Sequence, residues 1–172
     1  MSEAAPLTIA MVPPATRLAI RVSGEAVKTL GDGFGMALPQ DACRANSNAS
    51  RAALWLGPDE WLLIAPEGEA PALVAWMADA LGETPGSIVD VSDRNAGIEV
   101  RGARAAEAIN GFCPLNLHID AFPVGMCTRT VFGKAEIVLW RTAADVFRIE
   151  VWRSFAPYLL GCLEEAAREY RT

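Results

Sequence analysis

The stretch "GFCPLNLHIDAFPVGMCTRT", residues 111–130, carries the only histidine of the chain, His118, between two of its four cysteines, Cys113 and Cys127. Three kinds of chemistry could use that trio. Zinc takes three or four Cys, His or carboxylate ligands. These three are separated by four and eight residues, lack a Cys-x-x-Cys anchor, and need Asp120 or a distant residue as the fourth. A Cys–His nucleophile needs a thiolate held beside the imidazole, which nearness in sequence does not provide. Pro114, Pro123 and Gly125 instead describe a shaped connection. The stretch therefore reads as a rigid loop, with His118 a candidate for contact with a partner and not a metal ligand.

Two further groups invite the same weighing. "DVSDR", residues 90–94, places two carboxylates, a hydroxyl and a guanidinium at a strand end. Paired carboxylates can divide acid and base roles, but no Gly-x-Ser-x-Gly elbow surrounds Ser92, and Asp and Ser are ordinary turn formers. "GDGFG", residues 31–35, lacks both the dinucleotide fingerprint and a following Gly-Lys-Ser/Thr. It stands where a helix should end, with glycine in the left-handed conformation. Five tryptophans fall mostly on strands or apolar helix faces and read as core. Trp152 with Arg153 is the exception, a pair suited to a partner surface. No residue is assigned to catalysis, to a cofactor or to a metal.

The elements that must position these groups follow from patterning. In 172 residues, 52% are hydrophobic and 21% charged, a balance opposite to that of disordered chains. The net charge of −6, with lysine only at Lys28 and Lys134, excludes nucleic acid and anionic membranes as partners. No apolar run approaches the roughly 20 residues that span a bilayer. The first residues lack the basic start of a secretory signal. Four scattered cysteines suit free thiols in the reducing cytoplasm.

A repeat organises the chain. "LAIRVSGEAVKTLGDGFG" (18–35) resembles "AGIEVRGARAAEAINGFC" (96–113) at an offset of 78, pairing Ile20 with Ile98, Val22 with Val100 and Gly24 with Gly102. Both read as alternating strand, glycine turn and helix. Residues 53–81 resemble 138–166: Leu54–Trp55 meets Leu139–Trp140 at offset 85 and, after one inserted residue, Asp59, Trp61 and Pro71 meet Asp145, Phe147 and Pro157. Each half adds a hairpin, turning at "GPDE" or "TAAD", and a helix. In the last helix Phe155, Tyr158, Leu159, Cys162, Leu163, Ala166 and Tyr170 form one apolar stripe, with Ser154 placed to cap it. The expected fold is α+β: one domain of two β-α-β-β-α repeats, about 17–86 and 87–172, behind an extended segment over 1–16. Each half alone is too small to bury a good core.

Five segments in order, "LGPDEWLLIAP", "DVSDRNAGIEVRG", "FCPLNLHIDAFPVGMCTRT", "GKAEIVLWR" and "FRIEVWRSFAPYLL", resemble the gamma subunit of heterotetrameric sarcosine oxidase. The resemblance covers the chain from about Arg17 onward. It implies a fold like that of the folate-binding aminomethyltransferase of the glycine-cleavage system, with swapped subdomains related by duplication. It implies a complex that oxidises sarcosine to glycine with oxygen and tetrahydrofolate, yielding hydrogen peroxide and 5,10-methylenetetrahydrofolate. In that family FAD, FMN, NAD, folate and zinc belong to the alpha, beta and delta partners, and the gamma subunit holds no cofactor. Aminomethyltransferases carry an acidic pair in the strand resembling "GKAEIVLWR"; here only Glu136 stands there, followed by Ile137. The resemblance thus implies an accessory, structural subunit. The rival readings are a free-standing folate-binding protein and a small metalloprotein built on the 111–130 loop.

Overall fold

Strands and helices share the buried apolar side chains of the described residues, and strand pairing sets the fold. The computed structural model describes residues 6–170. Its elements run β1 (Thr8–Met11), β2 (Thr16–Arg21), α1 (Glu25–Phe34), β3 (Ala45–Ser47), β4 (Ala52–Gly57), β5 (Glu60–Ala65) and α2 (Ala70–Leu81). They continue β6 (Ser87–Asp90), β7 (Asn95–Arg101), α3 (Ala105–Asn110), β8 (Cys127–Phe132), β9 (Ala135–Ala143), β10 (Val146–Trp152) and α4 (Ala156–Ala167). These make two antiparallel five-stranded sheets, ordered β3-β4-β5-β2-β6 and β8-β9-β10-β7-β1. One compact unit is Pro14–Arg94; the other combines the residues up to Pro13 with those from Asn95 onward.

The α+β class holds, with more strands than β-α-β-β-α per half. β3 and β8 precede the hairpins. In addition, β6 closes the edge of β2, with Leu18 opposite Asp90 and Arg21 opposite Ser87. Likewise β1 closes the edge of β7, with Thr8 opposite Arg101 and Met11 opposite Ile98. An open edge leaves a row of unpaired N–H and C=O groups, and each sheet fills its own with a strand from the other side of the repeat boundary. The strands β1 and β6 thus reach across the limits 17–86 and 87–172 read from the sequence. Part of the segment expected to be merely extended is strand β1; residues 1–5 lie outside the described residues.

Pairing also sets a register between the two sheets that differs from the one the sequence suggests. Trp55 faces Trp61 on β4–β5, and Arg141, not Trp140, faces Phe147 on β9–β10. The counterpart of Trp55 is thus Arg141, one residue further on. A one-residue slip sends every side chain to the opposite face. Accordingly Ala53 and Leu139, now equivalent, both enter their unit's core. On β2 and β7, Ile20 faces Trp61 whereas Phe147 faces Val100, so these strands are offset by a whole pleat and keep their faces.

The helices lie on these faces. α1 buries Val27, Leu30 and Phe34 and ends at Gly35, whose φ of 85° is the left-handed cap expected for "GDGFG". α2 buries Ala70, Leu73, Met77 and Leu81; α4 buries Ala156, Leu159, Leu163 and Ala167, the same four positions. The seven-residue stripe is therefore too wide: Phe155 and Tyr158 are exposed. Ser154 does not cap α4. It lies in a 3-10 turn, Arg153–Phe155, and Phe155 takes the cap position without a side-chain bond.

Candidate functional site

Residues 111–126 leave α3 and return to β8 without a helix or strand of their own. The chain fixes this connection from within. Asn110 donates its side-chain amide to the carbonyls of Cys113 and Leu115 (3.1 and 2.5 Å). Asn116 Oδ1 accepts the His118 N–H at 3.0 Å, and the His118 carbonyl accepts N–H groups from Ala121 and Phe122. His118 thus caps a tight turn by its backbone. Its side chain is 67% exposed, with Nδ1 3.4 Å from Asp120 Oδ2. Cys113 and Cys127 are buried instead. The trio is split between solvent and interior, and no group of three or more His, Cys, Asp or Glu gathers at metal-binding range among the described residues.

The main anchor of this loop is a residue outside every chemical motif of the sequence, Arg141. Arg141 is buried on β9. Its Nη1 donates to the carbonyls of Leu117 (3.0 Å) and Phe122 (2.9 Å), and its Nε and Nη2 donate to Ala144 (3.0 and 2.5 Å). Its backbone pairs with Met126 and Gly125, and its guanidinium lies 4.7 Å from the Phe147 ring centroid. Burial lowers the Arg141 pKa from its usual value, and the Asp145 carboxylate opposes the shift. A guanidinium offers five donors in a planar fork and accepts nothing. Carbonyls alone can satisfy it, at the cost of desolvating its charge. The arrangement commits four of the five donors to loop carbonyls and so locks a loop. An arginine inside the apolar run "IVLWRTA" was the available signal.

The other motifs take their plain forms. Asp90 Oδ1 accepts the Ser92 N–H (2.9 Å) and hydroxyl (2.5 Å), and Ser92 Oγ accepts the Arg17 N–H (2.9 Å). This is an Asx-type turn that ties the end of β6 to β2. Trp61 and Trp140 are buried, Trp55 is half-buried, and Trp76 is exposed over Gly33. In the strand resembling that of the aminomethyltransferases, Glu136 is exposed and Ile137 is buried in the core. A groove of about 250 Å³ between α3 and α4 is floored by Phe112 and Ala166. Two of its rim carboxylates, Glu107 and Glu165, are already paired with Arg104 (3.0 Å) and Arg168 (2.9 Å).

The strongest surface feature surrounds Trp152 and Arg153. Trp152 is 50% exposed at the end of β10, Arg153 follows it in the 3-10 turn, and Phe155 and Tyr158 further along are 39% and 38% exposed. The Tyr158 hydroxyl accepts the backbone N–H of Lys134 at 3.3 Å. The sequence pointed to Trp152 and Arg153 but assigned Phe155 and Tyr158 to the buried stripe. His118 is exposed on the 111–126 connection.

Residues 23–169 match the family described as "Sarcosine oxidase, gamma subunit family". The chain is 36% identical to the sarcosine oxidase subunit gamma of Corynebacterium sp. (strain P-1) over 82% of its own length and 69% of the relative's. It is 32% identical to that of Arthrobacter sp. over 98% and 84%. A chain of the heterotetrameric sarcosine oxidase from Corynebacterium sp. U-96, solved with pyrrole 2-carboxylate, superposes with a TM-score of 0.89 at 31% identity. That match covers 96% of this chain and 86% of the other. The glycine cleavage system aminomethyltransferase T of Bartonella henselae shares the fold, with a TM-score of 0.69 at 15% identity over 97% of this chain and 50% of that one.

Proposed function

Because the chain belongs to the sarcosine oxidase gamma subunit family, we propose that it is the accessory, non-catalytic subunit of a heterotetrameric complex that oxidises sarcosine. Its role is to support the larger catalytic chains. The complex converts sarcosine to glycine with oxygen and tetrahydrofolate, releasing hydrogen peroxide and 5,10-methylenetetrahydrofolate. FAD, FMN, NAD, folate and zinc reside in the alpha, beta and delta partners. The observation that carries this reading is the near-complete structural match to one chain of a heterotetrameric sarcosine oxidase.

The chain's own residues support the division of labour. Its buried guanidinium at Arg141 gives four of its donors to loop carbonyls, its cysteines among the described residues are free thiols, and its lone histidine faces solvent. Free thiols also suit a cytoplasmic complex. No helix of the described residues is long and apolar enough to cross a membrane. The identical strand order of the two sheets supports an origin of the halves by duplication.

Native mass spectrometry of the complex from its source tests the proposal. Four distinct chains including this one are expected, with sarcosine oxidation lost when its gene is deleted. A native monomer whose deletion leaves sarcosine oxidation intact overturns it. The fold shared with aminomethyltransferase T keeps the folate-binding reading in view. Micromolar tetrahydrofolate binding by the isolated chain would favour it, whereas the exposed Glu136 beside buried Ile137 speaks against it.

A further inference from the structure

Of the asparagines in the chain, only Asn110 precedes a glycine. Asparagine is a thermolabile residue, and a following glycine has no Cβ to hinder the approach of its own nitrogen to the asparagine side chain. The pair stands where α3 ends and the 111–126 connection begins. There the Asn110 amide holds the connection. It donates to the Cys113 carbonyl at 3.1 Å and to the Leu115 carbonyl at 2.5 Å. Loss of that amide as ammonia would release the turn.

The fold holds the reaction back. Ring closure needs the Gly111 nitrogen at the Asn110 side-chain carbon. In the folded chain the Gly111 N–H donates to the Glu107 carbonyl at 3.2 Å, and Gly111 keeps helical angles, φ −57° and ψ −27°. This helix end must open before the nitrogen can turn towards the side chain.

The other unit shows what the product would lack. α1 buries Val27, Leu30 and Gly31 where α3 buries Ala105, Ala108 and Ile109, which makes Asp32 the counterpart of Asn110. Asp32 is exposed and forms an ion pair with Lys28, one turn earlier. The matching position in α3 is Ala106. A carboxylate accepts hydrogen bonds and donates none. At residue 110 it would have alanine, not lysine, one turn back, and two carbonyl oxygens in place of its partners.

We propose that Asn110–Gly111 is a latent deamidation site, which converts when the 111–126 connection opens and then keeps that connection from reclosing. The Gly111 nitrogen loses its proton and bonds to Asn110 Cγ. The bond from Cγ to the side-chain nitrogen breaks, and ammonia leaves with the proton. Water then adds to either carbonyl of the cyclic imide and breaks one of its C–N bonds, giving aspartate or isoaspartate. The net change is one water consumed and one ammonia released, with no change of oxidation state. The isoaspartate form also inserts a methylene into the main chain at the start of the connection.

The test ages the purified full chain in mildly alkaline buffer with and without urea. Peptide mass spectrometry and isoaspartate-specific methylation read residue 110. Conversion about 10-fold or more faster in urea is expected, because opening gates it. Equal rates in the two conditions, or no conversion in urea, overturn the proposal. Gly111→Ala should slow conversion in urea about 10-fold, since a Cβ hinders the attacking nitrogen; an unchanged rate also overturns it. The chain aged in urea is then returned to native buffer. Amides of residues 112–117 should exchange about 10-fold faster than in the fresh chain, whereas G111A aged in the same way should match its own fresh sample. Asn110→Asp should show the faster exchange without ageing. Should that variant fail to fold by circular dichroism, the aged unaltered chain decides. Equal exchange in aged and fresh chain overturns the role of the amide in holding the connection.

Discussion

The two units solve one problem with different chemistry. Each must tie the long connection after its first helix back onto its sheet, where loop carbonyls would otherwise be buried without donors. In the Pro14–Arg94 unit the tie is Trp61, whose indole N–H reaches the Pro39 carbonyl at 2.8 Å. The equivalent residue in the other unit is Phe147, which has no donor. It can only pack, its ring centroid 6.4 Å from that of Phe122. The missing donor is restored by Arg141, directly opposite Phe147 on β9, where the first unit has Trp55. Shape is preserved across the units while the polar tie moves to a neighbouring strand. A fold thus specifies that a loop be held, not which atom holds it.

Arg141→Leu should break this comparison most severely. It removes the donors to Leu117 and Phe122 and leaves their carbonyls in a dry interior, and it also removes the donor to the exposed Ala144. Each such group costs about 1–3 kcal/mol, and relaxation towards water recovers part of it. A loss of about 3 kcal/mol is expected in urea denaturation of the purified chain, with residues 114–126 losing hydrogen-exchange protection. A loss below about 1 kcal/mol would show that packing of Phe122 on Phe147 suffices.

Gly102→Ala comes next. By strand pairing its counterpart is Val22: the N–H of Gly102 donates to Asp145 and that of Val22 to Asp59. Yet Gly102 has φ 129°, and a Cβ there would lie 2.7 Å from the Pro6 carbonyl oxygen and 2.9 Å from the Leu7 Cα. These are backbone atoms with no rotamer escape, so β1 must move. A cost of about 2 kcal/mol and early exchange of the β1 amides are expected. Unchanged protection would mean that β1 tolerates displacement.

How far the sequence revealed this depends on the kind of information involved. Alternation at Leu18 and Ile20, and helical spacing at Leu159 and Leu163, showed which faces are apolar, because burial repeats with the backbone period. It could not show that Ser87–Asp90 pairs back onto β2, since an edge strand of that length suits either sheet. Nor did it resolve a one-residue slip at Trp140: tryptophan is apolar enough to match Trp55 by type while pointing to the other face. An arginine within an apolar run marked Arg141 as unusual but not what it anchors, because its partners are carbonyls, which every residue carries. Phe155 and Tyr158 satisfied the same i, i+3, i+4 rule as the buried residues. That rule describes a stripe wider than the one a single neighbouring sheet can cover.

Trp61→Phe sharpens the comparison by making the first unit imitate the second. The ring volume falls slightly and the buried Pro39 carbonyl loses its donor. A cost of about 1–2 kcal/mol is expected, smaller than at Arg141 because one carbonyl is involved. A neutral result would mean that Asn46, which donates to the neighbouring Ala37 carbonyl at 2.8 Å, already holds this connection.

The smallest effect is expected where the surfaces differ most. Phe155→Glu places in one unit the residue type that the other carries at Glu69. Phe155 is 39% exposed and lies outside the buried set of α4, so the isolated chain should lose no more than about 0.5 kcal/mol. A carboxylate at the start of α4 also gains a little from the helix dipole, offsetting the lost apolar contact. Thermal unfolding of the two forms of the isolated chain measures the difference. A loss above about 1.5 kcal/mol would make Phe155 a core residue. The contrast with Glu69 would then report on packing within this unit.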